Sequence, residues 1–434
     1  MIVAILECHS KIAHMTYRPR TLHEKIRQLT NRAAIVLVTG PRQAGKTSLL
    51  SHVLGEFSDD PASRVTAFDT PADIDRFRRD PEMFLADRPG VRFFDEVQHV
   101  PEIFPYLKRE IDAHPRTFRY FLSGSQHFHL MKGVTESLAG RVAVLDLWPF
   151  AAQEIHNPSA AAKTVSLLEA PAELDALSGN EYPAQDLDTV VPAMLKGGYP
   201  APVLEDAGAD WFESYRKTFI QRDIRDLSQV ADLGRFDRFV VLCAGRTATV
   251  MNRSHLSSAV GVDQKTIDHW LSLLTTSYQL ISLPPYFENA TKRIVKRPKW
   301  VFADIGLALH LQAIRSADAL LNAPHFGSLF ESFVLMEARK LYGHSGLPWN
   351  GHFWGAAEGA EVDLVLPVGG RAVPIEIKHA ATIRADDFRG LKTFMKVHGK
   401  SRAPMGLLLS MNPRVERVAE GIYNFPLGLL LRGP

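Results

Sequence analysis

Short apolar, β-branched runs recur through the first third of the chain, each closed by polar or turn-forming residues. Ala33–Val38 is one, bounded by Gly40 and Pro41; Val65–Phe68, Val91–Phe94, Thr117–Leu122 and Val142–Leu147 are others. Stretches with helical spacing, such as Pro101–Asp112, lie between them. Continuous apolar strands alternating with helices predict an α/β fold with a parallel sheet covered on both faces, because a strand with no polar side is buried on both.

The pattern changes after His156. His156–Val190 holds six acidic residues and one basic one, Lys163, and is rich in Ala, Pro and Ser. This predicts a boundary of loops and a short helix, with Leu167, Leu168, Leu174 and Leu177 on one apolar face. Trp211–Leu242 reads as helical. Ser254–Val260, then Gly261, then a helix from about Asp263, read as helix, tight turn, helix. Leu283–Phe302 reads as a hairpin with its turn near Asn289. Together these outline a winged helix. Gly327–Leu341 predicts a helix. Val362–Pro367 and Ala372–Ile377 predict two strands joined by Val368-Gly369-Gly370-Arg371. A helix over Ala385–Val397 and a strand over Met405–Leu409 follow, with no internal repeat.

Composition narrows the class. A chain of 434 residues suggests about three domains. The 46% hydrophobic and 23% charged fractions are those of an ordinary globular protein. Two cysteines, Cys8 and Cys243, exclude a disulfide scaffold and a four-cysteine zinc site. Fifty basic against 48 acidic residues give +2, so any nucleic-acid surface must be local. No apolar run approaches the roughly 18 residues of a spanning helix, which predicts no membrane partner. The first fifteen residues, MIVAILECHSKIAHM, lack a basic stretch ahead of their apolar one, so no signal peptide and a cytoplasmic location are expected.

Gly40-Pro41-Arg42-Gln43-Ala44-Gly45-Lys46-Thr47 fits G-x-x-x-x-G-K-[ST] between a predicted strand and a predicted helix, and Ser48 follows it. Glycines let successive N–H groups face phosphate oxygens, and the helix start adds its dipole. Lys46 can reach the β- and γ-phosphates, and Thr47 can ligate Mg2+. The apolar strand Val91–Phe94 ends in Asp95-Glu96. Asp95 is placed to hold Mg2+, and Glu96 to orient and deprotonate the attacking water. Ser125, in Ser123-Gly-Ser-Gln126, is a candidate to touch the γ-phosphate. Arg141 is a candidate phosphate contact, in its own subunit or a neighbour's, or a plain exposed arginine. Arg42 and Arg222 are weaker candidates. No base-reading motif such as N-K-x-D occurs in place, so ATP is expected rather than GTP.

A second constellation lies near the C-terminus. Glu376 and Lys378, two apart on a strand, project to one face. A hairpin brings Asp363 beside them, and Glu331 on the preceding helix can add a fourth group. Two carboxylates can hold Mg2+ or Mn2+ and a lysine can stabilise developing charge, the chemistry of the D…E-x-K nuclease core. The alternative is a structural cluster, or one that serves only binding. Lys292, Arg293, Lys296, Arg297 and Lys299 crowd into the proposed wing, with Lys265 and His269 on the second helix. They are candidates for DNA phosphates or a solvated hairpin.

These residues resemble a prokaryotic family of AAA-type P-loop ATPases with a C-terminal domain of unknown function. The resemblance runs through Gly40–Thr47, Phe94-Asp-Glu-Val-Gln98, Ser137-Leu-Ala-Gly-Arg141 and Gly197-Gly-Tyr-Pro200. It continues through Arg222-Asp223, Pro298-Lys299, Phe302-Ala-Asp304-Ile-Gly306, Glu361-Val-Asp363 and Glu376-Ile-Lys378. It departs at Gln126, where a small residue is expected. The resemblance implies an additional-strand P-loop core, a winged-helix segment and a restriction-endonuclease-like domain. The expected boundaries are 1–155 for the ATPase, 156–235 for an acidic linker and helical lid, 236–310 for the winged helix and 311–434 for the nuclease-like domain. The expected function is an ATPase using ATP and Mg2+ that binds DNA and carries a metal-dependent nuclease-like domain. The alternative is an ATP-dependent regulatory or protein-interaction switch whose nuclease-like fold does not cleave. Arg141 acting in trans would demand a homo-oligomer.

Overall fold

Every residue of strand β1 (Ile35–Thr39) is buried, as its unbroken Ile-Val-Leu-Val run requires. The computed structural model describes residues 17–87, 90–113, 117–125, 137–205, 207–218, 232–288, 297–356 and 359–434. They form two units. The first takes the described residues of Met1–Thr39, Gly45–Gly124 and His129–Leu145; the second takes those of Gly40–Ala44, Ser125–Phe128 and Asp146–Pro434.

In the first unit β1 is joined by β2 (Val65–Ala67), β3 (Arg92–Asp95), β4 (Tyr120–Gly124) and β5 (Val142–Asp146), in the order β2-β3-β4-β1-β5. β1 pairs parallel with β4, β4 with β3, and β3 with β2. β4 therefore lies between the strand that feeds the phosphate loop and the strand that ends in Asp95. Helices α1 (Lys46–Leu54) and α2 (Ile103–Ala113) flank it. Phe68, Phe77, Phe84, Phe94 and Tyr120 form an aromatic core at the β2–β3 side.

In the second unit, three helices and a small sheet follow one another. α3 (Leu233–Gly245) leads to β6 (Thr249–Val250), α4 (Arg253–Val260), α5 (Gln264–Thr276), β7 (Leu280–Leu283) and β8 (Lys299–Phe302). Local chemistry sets these ends. Asn252 Oδ1 accepts from Ser254 N at 3.0 Å at the start of α4. Gly261 takes φ +77 at the end of α4, and Asp263 Oδ1 accepts from Thr266 N at 2.7 Å at the start of α5. The strands order β6-β8-β7, both pairs antiparallel.

After α6 (Ile305–Leu311) and α7 (Phe326–His344) comes a six-stranded sheet. Its strands are β9 (His352–Gly355), β10 (Glu361–Val368), β11 (Arg371–Lys378), β12 (Gly406–Ser410), β13 (Glu416–Ala419) and β14 (Ile422–Pro426), in the order β13-β14-β12-β11-β10-β9. β9, β10 and β11 are antiparallel neighbours, whereas β12 runs parallel to β11 after helix α8 (Arg389–His398). Gly369 and Gly370 take φ +56 and +79, so the β10–β11 link is a two-residue turn that needs glycine at both places.

In His156–Val190, Leu167, Leu168, Leu174 and Val190 are fully buried in the second unit's core, and Leu177 is partly buried against it. The Trp211–Leu242 stretch is helical where it is described, at Gly208–Thr218 and Leu233–Gly245, and 219–231 lie outside the described residues. β9, β13 and β14 do not appear in the sequence reading; each lacks a clean alternation. Among the described residues, no helix is long and apolar enough to cross a membrane.

Candidate functional site

The phosphate loop joins β1 to α1. Gly40, at φ +141, packs against its neighbour so tightly that a Cβ would fall 2.1 Å from the Leu147 carbonyl oxygen. Pro41 and Ala44 are buried, Arg42 half-buried and Gln43 exposed, the last at φ +60. Gly45, at φ +92, is the left-handed N-cap of α1, a backbone state that favours glycine. Lys46 is the first residue of α1 and is buried, while Thr47 and Ser48 are exposed. The first turn of a helix presents N–H groups and the positive dipole end to an anion.

β3 carries its carboxylate to the same place. Thr47 Oγ1 donates to Asp95 Oδ2 at 2.7 Å. Ser123 Oγ, on neighbouring β4, donates to Asp95 Oδ1, which also accepts from Glu96 N at 3.1 Å. Burial pushes the Asp95 pKa above its ordinary value, against the hydrogen bonds from Ser123 and Thr47. Glu96 sits at φ +54, a costly conformation for a side chain with a Cβ, and Gln98 Nε2 donates to its Oε2. The hydroxyl–carboxylate pair suits Mg2+, which prefers hard oxygen donors and keeps several waters. Thr47 and Asp95 would hold the ion, and it would neutralise phosphate charge. Glu96 would then orient a water, with Gln98 fixing its carboxylate.

Not every candidate gathers here. Ser123 Oγ reaches Asp95, and Ser125 is buried one residue past β4. Arg141 is bonded through Nε and Nη2 to Asp112, at 2.7 and 3.1 Å. Its carbonyl accepts from Ile35 N at the start of β1, whereas Lys46 follows the other end of that strand. Gln126 and Arg222 lie outside the described residues.

The second cluster forms within the six-stranded sheet. The register Leu364↔Ile375 sets Asp363 beside Glu376 on adjacent strands. Asp363 Oδ2 accepts from Ile377 N at 2.8 Å, and Lys378 Nζ donates to Glu376 Oε1 at 2.8 Å. Glu376 Oε2 is buried with no hydrogen-bond partner. Gly390, in the first turn of α8, lets the helix approach: a Cβ there would lie 2.0 Å from the Glu361 carbonyl oxygen and 3.3 Å from Glu376 Oε2. Burial, then the charge of Asp363, push Glu376 up to about 8. Burial also raises Asp363, against the attraction of Lys299. Burial works against the Lys378 ammonium, but Glu376 and Asp363 outweigh it and raise its pKa.

Glu331 comes to this cluster but does not join a metal set. Lys299 Nζ donates to its Oε1 at 3.0 Å. Among the described residues no three of His, Cys, Asp and Glu are close enough to hold one ion. Burial and Asp363 push Glu331 up to about 8. The orphaned Glu376 oxygen beside Asp363 fits a hard divalent cation, which those two residues would hold.

Lys299 is a correction. The sequence reading put it in a basic wing patch, but it is 5% exposed and belongs to the carboxylate cluster. The available signal was its phase. Lys299 and Val301 are both buried on β8 and Trp300 between them is half-buried, the alternation of an inward-facing lysine. Arg297 is exposed, and Lys292, Arg293 and Lys296 lie outside the described residues. Lys265 and His269 are exposed on α5, where Asp268 pairs with Arg253 at 2.6 Å.

A further motif, Phe302-Ala-Asp304-Ile-Gly306, has a structural role. Asp304, fully buried, accepts from Gly198 N at 2.8 Å and from Leu307 N at 2.9 Å, joining Gly197-Gly198-Tyr199-Pro200 to the start of α6.

Comparison with known proteins follows this architecture. An AAA domain family matches residues 32–156. A domain of unknown function (DUF8612) matches 188–318, and another (DUF4143) matches 326–430. Uncharacterized proteins of Mycobacterium bovis and Mycobacterium tuberculosis are each 29% identical over 378 residues, covering 86% of this chain and 76% of theirs. A Walker-type ATPase of Pyrococcus abyssi aligns over 68% of this chain and 99% of its own, at 15% identity and a TM-score of 0.42. A signal-transduction ATPase of the STAND type from Pyrococcus horikoshii aligns over 76% and 48%, at 9% identity and a TM-score of 0.28. Residues 32–156 thus match an AAA domain, followed by matches to two domains of unknown function.

Proposed function

We propose that this AAA-type ATPase couples ATP hydrolysis to DNA handling, with a winged helix for DNA contact and a metal-dependent nuclease-like site at its C-terminus. In the ATPase, Gly40–Thr47 and Ser48 cradle the phosphates and Thr47 and Asp95 hold Mg2+. Lys46 stabilises the transferring phosphoryl group, and Glu96 activates water. The order helix α7, three antiparallel strands, helix α8 and parallel β12 supports a restriction-endonuclease-like reading. The chain order α3, β6, α4, α5, β7, β8, with the strands arranged β6-β8-β7, supports the winged-helix reading.

One observation carries the nuclease proposal: buried Glu376 Oε2 has no partner, beside Asp363 and with the Lys378 ammonium on its other oxygen. Burying a carboxylate oxygen unpaired is costly, and a bound cation removes the cost. That cation, when bound, would polarise a phosphodiester. Lys378 would hold developing negative charge beside it. The test is cleavage of duplex, branched and single-stranded DNA with Mg2+ or Mn2+. Cleavage lost in Asp363→Ala supports the reading, and no cleavage of any DNA by the wild type removes it.

A second reading is a nucleotide-dependent switch whose C-terminal modules only dock. It is favoured by the Arg253–Asp268 pair, which neutralises part of the outward face of α5, and by the inward turn of Lys299. A wild type that hydrolyses ATP but neither binds nor cuts DNA would establish it over the first.

A further inference from the structure

The carboxylate cluster contains a cation of its own, delivered from another module. β8 belongs to the small sheet beside the helix-turn-helix, where Lys299 pairs in register with Val250 and Leu283. Its ammonium lies 3.0 Å from Glu331 Oε1 and 4.0 Å from Glu361 Oε2, over the ring of Phe353 at 5.5 Å. The stem is fixed from the other side as well. Tyr286 N donates to Phe353 O at 2.6 Å and Phe353 N to Pro284 O at 3.0 Å, which fastens the segment after β7 to the edge strand β9. Lys299 is therefore held among the carboxylates by two sheets rather than by a flexible stem.

Its position has a chemical consequence. Glu331, the third carboxylate near Asp363 and Glu376, is bonded to Lys299 and takes no part in a shared ion site. We propose that Lys299 is a built-in rival to a divalent cation: its ammonium engages Glu331, and its removal frees that carboxylate to complete a three-carboxylate site with Asp363 and Glu376. This rests on the reading of Asp363 and Glu376 as cation ligands. It goes beyond that reading by assigning the helix-turn-helix sheet a residue that controls cation access.

The experiment is calorimetric titration of the full chain with Mg2+ at about pH 8.5, without nucleotide, together with thermal melting. Lys299→Met is expected to bind Mg2+ about tenfold or more tightly than wild type, since the freed Glu331 carboxylate adds a negative charge beside the ion. Its melting temperature should rise with Mg2+, and Glu331→Gln added to it should return the affinity to the wild-type level. Lys299→Leu, which likewise offers Glu331 neither a donor nor a charge, serves if Lys299→Met does not fold, and should show the same gain. Asp363→Asn should abolish the binding in every background, which separates this site from the phosphate loop. Equal affinity in wild type and both Lys299 variants, or a gain that survives Glu331→Gln, overturns the proposal while leaving the Asp363–Glu376 reading standing. No Asp363-dependent binding in any version overturns both.

Discussion

Thr47 Oγ1 donates a 2.7 Å hydrogen bond to Asp95 Oδ2, joining the first turn of α1 to the end of β3. The two residues are 48 positions apart, and the parallel sheet brings them together. Thr47→Ala and Asp95→Asn each remove one member of the Mg2+ pair. Each is expected to lower Mg2+-dependent ATP turnover about 100-fold or more, measured by phosphate release. Lys46→Ala should abolish turnover. Turnover at the wild-type rate in that variant would refute the phosphate-loop assignment.

Glu96 is expected to separate binding from hydrolysis. Glu96→Gln keeps the shape of the side chain and removes its basicity, so ATP should bind while turnover falls roughly 10²- to 10⁴-fold. Gln98→Ala leaves the base in place and loosens the carboxylate that Gln98 holds. It should lower kcat and leave KM near the wild-type value. A loss of ATP binding in Glu96→Gln would give that residue a different role.

The buried glutamates predict a pH effect with a definite sign. Glu331 and Glu376 are pushed up to about 8, far above the ordinary 4.5. A carboxyl that keeps its proton longer when folded stabilises the fold fully below its unfolded pKa and loses that effect as pH rises through the folded value. Their contribution should therefore fall between about pH 5 and pH 8. Thermal melts of Glu331→Gln and Glu376→Gln across this window should show a flatter decline than wild type. A slope equal to that of wild type would contradict the raised values.

Asp304 and Gly390 predict structural costs. Asp304→Ala removes the acceptor shared by Gly198 N and Leu307 N and should destabilise the second unit by about 1–3 kcal/mol in chemical denaturation. Gly390→Ala sets a Cβ 2.0 Å from the Glu361 carbonyl oxygen, so α8 must shift away from Glu376. A loss of about 1–3 kcal/mol is expected. An unchanged denaturation midpoint for Gly390→Ala would mean that the helix accommodates the methyl group.

What the sequence determined by itself was local and periodic. The apolar run Ile35–Val38 marks a strand because a strand buried on both faces has no polar side. Gly45 before Lys46, Gly261 between two helices and Gly369-Gly370 between two strands mark turns, because positive φ favours glycine. What only the tertiary structure decided was which distant groups meet. Ser123 reaches Asp95 because β3 and β4 are neighbours in the parallel sheet, whereas Ser125 lies past the end of β4. Arg141 pairs with Asp112 at the far end of β1. Lys299, one of several basic residues in its stretch, is drawn under Glu331 by the pairing of β8 with β6 and β7. Contacts made across sheets depend on register and on how strands stack, and no local pattern of hydrophobic and polar residues encodes those.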